Sequence, residues 1–177
     1  CNALSPAARL MNAVNTVVNE DGYLTGHNTD GIGFVRALED AGHTLRGKTM
    51  TLLGAGGAST AICVQSALDG AAAIHVFARS TSRFWPRMEE LTRELARSCP
   101  CRVTLTDQAD QDALRKALEG SQLLVNGTSV GMAPDTDASL ITDPAFLHPD
   151  LVVFDAIYNP RQTRLLRLAA EAGCPTC

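Results

Sequence analysis

The chain has 177 residues, of which 45% are hydrophobic and 19% are charged, and its net charge is −4. This length and composition are typical of one well-buried domain, or of one domain with part of another. No apolar segment approaches the roughly 20 residues of a membrane-spanning helix. An acidic chain with only 15 lysines and arginines does not favour nucleic acid or an anionic membrane as a partner. We therefore expect a small-molecule ligand.

Six cysteines are scattered along the chain rather than grouped in short loops, which is typical of a reduced, cytoplasmic protein. A zinc site formed by Cys99, Cys101, Cys174 and Cys177 is an alternative, but no histidine has matching spacing, so we expect no metal. The chain begins without methionine and stops where a further strand is starting. We expect it to be a fragment of a longer protein.

The first 41 residues predict a helix, a β-hairpin and a second helix. The β-branched run Ala13–Val18, the turn Asp21–Gly22 and the strand Tyr23–Gly26 predict the hairpin. The second helix follows Asp30, and Gly42 supplies its left-handed end.

From residue 49 onward, short apolar strands alternate with longer helices, which is typical of βαβ units. The predicted strands are Thr49–Leu53, Ala73–Ala78, Arg102–Thr106, Gln122–Asn126 and Leu151–Phe154. The predicted helices are Gly57–Leu68, Pro86–Arg97, Gln111–Leu118 and Thr163–Ala172. This alternation predicts an α/β protein with a parallel sheet, whose ligands bind in the loops after the strands.

The first of these strands runs directly into Gly54-Ala55-Gly56-Gly57-Ala58-Ser59, which opens a helix. Gly54 permits the tight turn, Gly56 lets the backbone approach a pyrophosphate, and the start of the helix favours negative charge. Ser59 occupies the place of a third small residue. The pattern predicts a dinucleotide-binding turn in a Rossmann-like, doubly wound sheet; a merely structural turn is the alternative.

The second strand of an NAD-binding sheet usually ends in an acid that binds the ribose 2′-hydroxyl. Here Ala78 is followed by Arg79-Ser80-Thr81-Ser82-Arg83, without an acid. Guanidinium groups flanked by hydroxyls match a 2′-phosphate, so the local chemistry favours NADP. A solvated loop with incidental arginines is the alternative.

Two segments before the sheet are unusually polar, Ala13-Val14-Asn15-Thr16 and Gly26-His27-Asn28-Thr29-Asp30-Gly31-Ile32-Gly33. Taken alone, Asp30 is expected to be the N-cap of the following helix and Asn15 to bond at a strand end. A functional role is equally open.

Five motifs occur in the order and spacing of the shikimate dehydrogenase family: Ala13-Val14-Asn15-Thr16, Asn28-Thr29-Asp30-Gly31, Gly54-Ala55-Gly56-Gly57-Ala58, Asn126–Met132 and Asp155–Pro160. The chain resembles this family over nearly its whole length, and is most similar to the quinate/shikimate branch. The resemblance implies an NAD(P)-dependent oxidoreductase of aromatic amino acid biosynthesis. Such an enzyme interconverts shikimate and its 3-dehydro ketone by hydride transfer, and quinate stays open as a second substrate. The resemblance also implies that residues 1–45 are the C-terminal piece of an α/β substrate domain with its connector, and that residues 46–177 are the NAD(P)-binding domain.

The resemblance implies roles for individual residues. Asp30 would be the acid of a Lys–Asp pair acting on the substrate hydroxyl, and Asn15 would bind substrate hydroxyls. The implied cofactor-binding residues are Ala55, Gly56, Gly57 and Ala58 at the pyrophosphate, Arg79, Ser80 and Thr81 at the adenosine ribose, and Thr128, Ser129, Met132, Ala156, Ile157, Tyr158 and Asn159 at the nicotinamide.

The sequence also departs from the family pattern. Neither Lys48 nor Lys116 fits the lysine of the pair, which we expect upstream of residue 1, and a substrate-binding glutamine is expected beyond residue 177. Ala78 replaces a usual asparagine and Thr81 an acid of the NAD-tolerant branch, so both NADP and NAD stay open. One rival is a non-catalytic NAD(P)-binding sensor or interaction module. Another is a related dehydrogenase acting on folate or amino acids, which the Asn-Thr-Asp segment disfavours. A homodimer is left open.

Overall fold

The computed structural model describes all 177 residues, which form two β-sheets. The smaller sheet contains β1 (Ala3–Leu4), β2 (Thr16–Glu20) and β3 (Tyr23–His27), in the order β1-β3-β2. Strand β1 runs parallel to β3, and β2 runs antiparallel to it. Helix α1 (Pro6–Met11) lies between β1 and β2 in the chain, and α2 (Asp30–Asp40) follows β3.

The predicted hairpin is confirmed, with its first strand shifted along the chain. Its turn places Asp21 and Gly22 at positive φ, 49° and 91°. The first strand begins at Thr16 rather than Ala13 because Asn12 ends α1 in the left-handed conformation and Ala13 N–H donates to the Ala8 carbonyl at 3.2 Å. The two-residue strand β1 was not predicted.

The larger sheet has five parallel strands, β4 (Thr49–Leu53), β5 (Ala73–Ala78), β6 (Arg102–Asp107), β7 (Leu123–Asn126) and β8 (Val152–Asp155). Their spatial order is β6-β5-β4-β7-β8. The connecting helices are α3 (Gly57–Leu68), α4 (Trp85–Ser98) and α5 (Gln111–Glu119), and α6 (Arg164–Glu171) follows β8; a short 3-10 turn, Pro144–Phe146, precedes β8. Every predicted strand and helix of this region is confirmed, and no end differs by more than one residue.

Apolar cores cover both faces of the larger sheet. The larger core lies under α3 and α4 and also includes Met11, Phe34 and Leu38 from α1 and α2. The smaller core, on the other face, includes Leu114 and Leu118 of α5 and side chains of α6. Burial on both faces explains the continuous apolar runs of the strands. The strand order and the two helical layers confirm a Rossmann-like doubly wound fold.

One glycine sets the distance between α2 and α3. A Cβ on Gly31 would lie 2.5 Å from the Ala61 carbonyl oxygen and 2.6 Å from Gln65 Cβ. Only glycine therefore permits this approach, which packs the first turn of α2 against the middle of α3. The ring of Phe34 on the same helix meets Phe154 of β8 edge to face, with centroids 4.8 Å apart.

None of the six helices combines the length and the apolar character that a membrane-spanning helix needs. All six cysteines are free. Cys99 and Cys101 pack with the larger core and Cys174 belongs to the smaller one, so the sheet separates the two pairs that a zinc site would need.

Candidate active site

The glycine turn after β4 is locked to the loop after β7. Gly54 has a φ of +107°, and a Cβ there would lie 2.6 Å from Ser59 Oγ and 2.7 Å from Thr128 Cγ2. Ser59 is fully buried, and its hydroxyl donates to the Gly127 carbonyl at 3.0 Å. The serine thus packs closely in the place of the third small residue, as predicted, and fixes the two loops at the reversal point of the strand order.

The start of α3 lies open beside this turn. Gly56 is the N-cap and offers no side chain to the first-turn N–H groups, while Gly57 and Ala58 are exposed. Such a start can bind an anion through its backbone donors and the helix dipole. A cavity of about 170 Å³ adjoins it, which we call the ribose cavity; it is lined by Gly54, Ala55, Gly56, Ala78, Arg79, Ser82, Phe84, Gln108, Gly127, Thr128 and Ser129.

The two predicted substrate-side residues contact each other. Asn15 Nδ2 donates to Asp30 Oδ1 at 2.9 Å, and Asn15 Oδ1 accepts from Thr29 N–H at 3.0 Å. The prediction that Asp30 is the N-cap of α2 was wrong, because Thr29 occupies that position and Asp30 is the first helical residue. Its carboxylate is engaged by Asn15, while its own N–H donates to Asn28 Oδ1 at 3.1 Å.

Asp30 lies at the junction of two further cavities. The first, which we call the substrate cavity, measures about 380 Å³ and is lined by Met11, Ala13, Val14, Asn15, Asn28, Asp30, Ala55, Gly56, Gly57, Thr60, Phe84 and Arg87. The second measures about 260 Å³ and is lined by Asp30, Gly33, Phe34, Ala58, Ile62, Phe154 and Ala156. The substrate cavity shares Ala55, Gly56 and Phe84 with the ribose cavity. The three cavities therefore run from the Arg79 loop past the glycine turn to Asp30.

A buried network joins the loops that follow β7 and β8. Asp155 Oδ1 accepts from Asn126 Nδ2 at 3.0 Å and from Ile157 N–H at 3.1 Å, and its Oδ2 accepts from the Thr163 hydroxyl at 2.6 Å. Asn126 Oδ1 in turn accepts from the hydroxyl of Thr128 at 2.7 Å. Burial raises the pKa of Asp155, and the three hydrogen bonds oppose that rise.

The structure brings some predicted residues together and leaves others apart. Ten of the predicted residues line the three cavities: Asn15, Asp30, Ala55, Gly56, Gly57, Ala58, Arg79, Thr128, Ser129 and Ala156. The other six do not line any of them: Ser80, Thr81, Met132, Ile157, Tyr158 and Asn159. Ile157 is buried, whereas Tyr158 is 87% exposed.

Sequence reasoning missed Phe84, Arg87, Asp107 and Gln108. Phe84 lines two of the cavities, and Arg87 Nη2 donates to the Leu10 carbonyl at 2.5 Å, which ties α4 to α1. Asp107 ends β6 directly opposite Ala78. The one sequence feature that could have pointed to Asp107 is its position at the carboxyl end of a parallel strand, the edge of the sheet where ligands bind.

The chain is similar to known dehydrogenases over almost its entire length, although no protein-family model matches it. It is 48% identical over 173 residues, 98% of its length, to the quinate/shikimate dehydrogenase of Escherichia coli O139:H28. It superposes with a TM-score of 0.97 and 47% identity, over 99% of its length, on shikimate 5-dehydrogenase from Listeria monocytogenes, solved with shikimate and NAD. The chain is therefore similar to members of the shikimate/quinate dehydrogenase family over nearly its whole length. A third relative, shikimate 5-dehydrogenase from Thermus thermophilus solved with NADP(H) and shikimate, is 33% identical over 99% of the chain with a TM-score of 0.76.

The chain spans about 60% of the length of these members of the shikimate/quinate dehydrogenase family: 60% of the Escherichia coli protein, 61% of the Listeria structure and 59% of the Thermus structure. The alternative of a non-catalytic sensor or interaction module gains no support from them. Neither lysine of the chain adjoins Asp30, because Lys48 precedes the amino end of β4 and Lys116 lies on α5.

Proposed function

We propose that the full-length protein is an NAD(P)-dependent dehydrogenase that interconverts shikimate, and also quinate, with the corresponding 3-dehydro ketone. The relatives support this proposal: one is named for both alcohols, and two were solved with shikimate and either NAD or NADP(H). Residues 1–45 would complete a substrate domain and residues 46–177 would bind the cofactor. The small sheet and the large parallel sheet support that division.

The observation that carries the proposal is the position of the Asn15–Asp30 pair. Asp30 lines both the substrate cavity, which reaches the glycine turn, and the cavity that ends at Ala156. A carboxylate at this junction can contact a substrate hydroxyl while the carbon bearing that hydroxyl faces the nicotinamide side. This juxtaposition is what oxidation of a secondary alcohol requires.

The residues around the glycine turn fit a dinucleotide. Glycine at position 54 avoids a clash, and the open start of α3 offers backbone donors to a pyrophosphate. Arg79 lines the ribose cavity and would contact the adenosine ribose. Ala156 lines the cavity beside Asp30 and would face the nicotinamide, together with Thr128 and Ser129 at the other edge of the glycine turn. A bound nicotinamide would supply the acceptor, and in the reverse direction the donor, of the hydride.

The protein's part in the reaction is to hold and move the hydroxyl proton. The Asn15 amide fixes one oxygen of the Asp30 carboxylate at 2.9 Å, which leaves the second oxygen available to the substrate hydroxyl. As the hydride leaves carbon, the hydroxyl proton passes to the acid/base pair that includes Asp30. In the opposite direction the same pair returns the proton to the ketone oxygen.

Replacement of Asp30 by asparagine in the full-length protein tests this role. We expect turnover to fall by roughly 10²- to 10⁴-fold, while the dissociation constants of NAD and NADP change little. Asp40→Asn is the matched control, because it removes the same charge from the other end of α2 and should leave both quantities unchanged. Turnover that survives Asp30→Asn would remove this residue from the mechanism.

A binding module without catalysis predicts a different pattern, in which both cofactors bind and none of the alcohols is oxidised.

Composition and resemblance also predict a cytoplasmic location, no nucleic-acid partner and, as an open possibility, a homodimer. Size-exclusion chromatography of the full-length protein would test the homodimer.

A further inference from the structure

An acidic side chain lies beside the loop of residues 79–83, which the sequence predicts to bind the 2′-phosphate of NADP. Asp107 is the last residue of β6 and pairs with Ala78, the last residue of β5. The N–H of Gln108 donates to the Ala78 carbonyl at 2.9 Å, and Gln108 lines the ribose cavity together with Arg79. The end of β6 therefore runs alongside the start of the loop that carries Arg79.

The carboxylate of Asp107 is held at the end of its own strand. Its Oδ1 accepts from Ala109 N–H at 3.0 Å. The hydroxyl of Ser80 and, to a smaller extent, the N–H groups of Ala109 and Ser80 lower the pKa of Asp107. The carboxylate is therefore ionised at neutral pH and lies close to Ser80, the residue that follows Arg79.

We propose that Asp107 is a specificity-determining residue that shifts cofactor choice from NADP toward NAD. The proposal rests on the proposed function, in which the ribose cavity holds the adenosine ribose. Asp107 does not line the ribose cavity itself but immediately precedes Gln108, which does. A 2′-phosphate beside Arg79 would therefore lie near the negative charge of Asp107, whereas the uncharged 2′-hydroxyl of NAD would not be repelled by it. The acid that usually ends the second strand is replaced here by one at the end of the neighbouring third strand.

Calorimetric titration of the full-length protein with NADP⁺ and NAD⁺ measures this effect without requiring turnover. In Asp107→Asn we expect the affinity for NADP⁺ relative to NAD⁺ to rise roughly fivefold to tenfold, the size of one charge interaction near a solvated surface. The amide oxygen can still accept from Ala109 N–H, so the turn is preserved. In Asp107→Glu, which keeps the charge, the ratio should stay near that of the unmodified protein.

Asp112→Asn is the matched control. It removes one negative charge from the first turn of α5, a short distance along the chain, where the side chain is 98% exposed. The ratio of the two affinities should not change in this variant. An unchanged ratio in Asp107→Asn, or an equal rise in both asparagine variants, would overturn the proposal. Failure of the unmodified protein to bind either cofactor would contradict the proposed function itself, and the specificity role with it.

Discussion

The buried network around Asp155 allows a sharp comparison of two substitutions. Asp155→Ala removes the acceptor of three donors, namely Asn126 Nδ2, Ile157 N–H and the Thr163 hydroxyl. A buried donor left without a partner costs about 1–3 kcal/mol. Asn126 Nδ2 keeps a second acceptor, the Val130 carbonyl at 3.3 Å, so only two donors lose their partner completely, the Ile157 N–H and the Thr163 hydroxyl. The free energy of unfolding should therefore fall by about 3 kcal/mol.

Asp155→Asn should behave differently. The amide oxygen can replace Oδ1 for two of the donors, and the amide nitrogen can donate to the Thr163 oxygen. The substitution also removes a charge that burial disfavours, since burial raises the pKa of Asp155. We expect the unfolding free energy at pH 7 to change by less than about 1 kcal/mol.

The raised pKa also predicts a pH dependence. Because the folded state binds the Asp155 proton more tightly than the unfolded chain, the contribution of this group is fully present below the unfolded pKa and is lost as pH rises through the folded pKa. The stability of the unmodified protein relative to Asp155→Asn should thus decline from about pH 4 upward.

Urea unfolding followed through the fluorescence of Trp85, the single tryptophan of these 177 residues, gives the free energies of the unmodified protein and the two Asp155 variants at each pH. Asp150→Ala, at an exposed acid shortly before β8, is the control and should stay within about 0.5 kcal/mol of the unmodified protein. If the alanine and asparagine variants of Asp155 proved equally stable, the network would not hold the loops as argued.

Two further substitutions test the cofactor site. Arg79→Ala should weaken NADP⁺ binding more than NAD⁺ binding in the same titrations, and equal losses would refute a contact with the 2′-phosphate. Gly54→Ala should lower the unfolding free energy by about 2 kcal/mol or more, because the added Cβ meets Ser59 Oγ and Thr128 Cγ2 at a positive φ. Gly33→Ala, on α2 with open space around its Cα, should instead be neutral or stabilising by up to about 1 kcal/mol, and a loss of the same size in both variants would contradict the packing argument.

The larger sheet was predictable because its signals are local. Each strand is a short apolar run bounded by turn residues, and each helix has its own period and caps, so the five strands and four helices follow from neighbouring residues alone. Strand β1 has no such signal. Its two residues are defined only by pairing with β3, more than 20 residues further along the chain.

The candidate site was partly predictable for the same reason. The glycine turn is a continuous motif, and the structure brings it into one cavity with Arg79, Thr128 and Ser129. The side-chain direction of Asp30 was not predictable from its neighbours, because its partner Asn15 lies 15 residues away. Asp107 was missed because its relation to Arg79 depends on the register of β5 against β6.

The most direct test of the central claim is the initial rate of nicotinamide reduction by the full-length protein, with shikimate and quinate each offered with NADP⁺ and with NAD⁺. Our account predicts turnover of at least one alcohol, and the four rates would identify the preferred substrate and cofactor together. Absence of turnover in all four combinations, with cofactor binding intact, would contradict a dehydrogenase and favour a binding module.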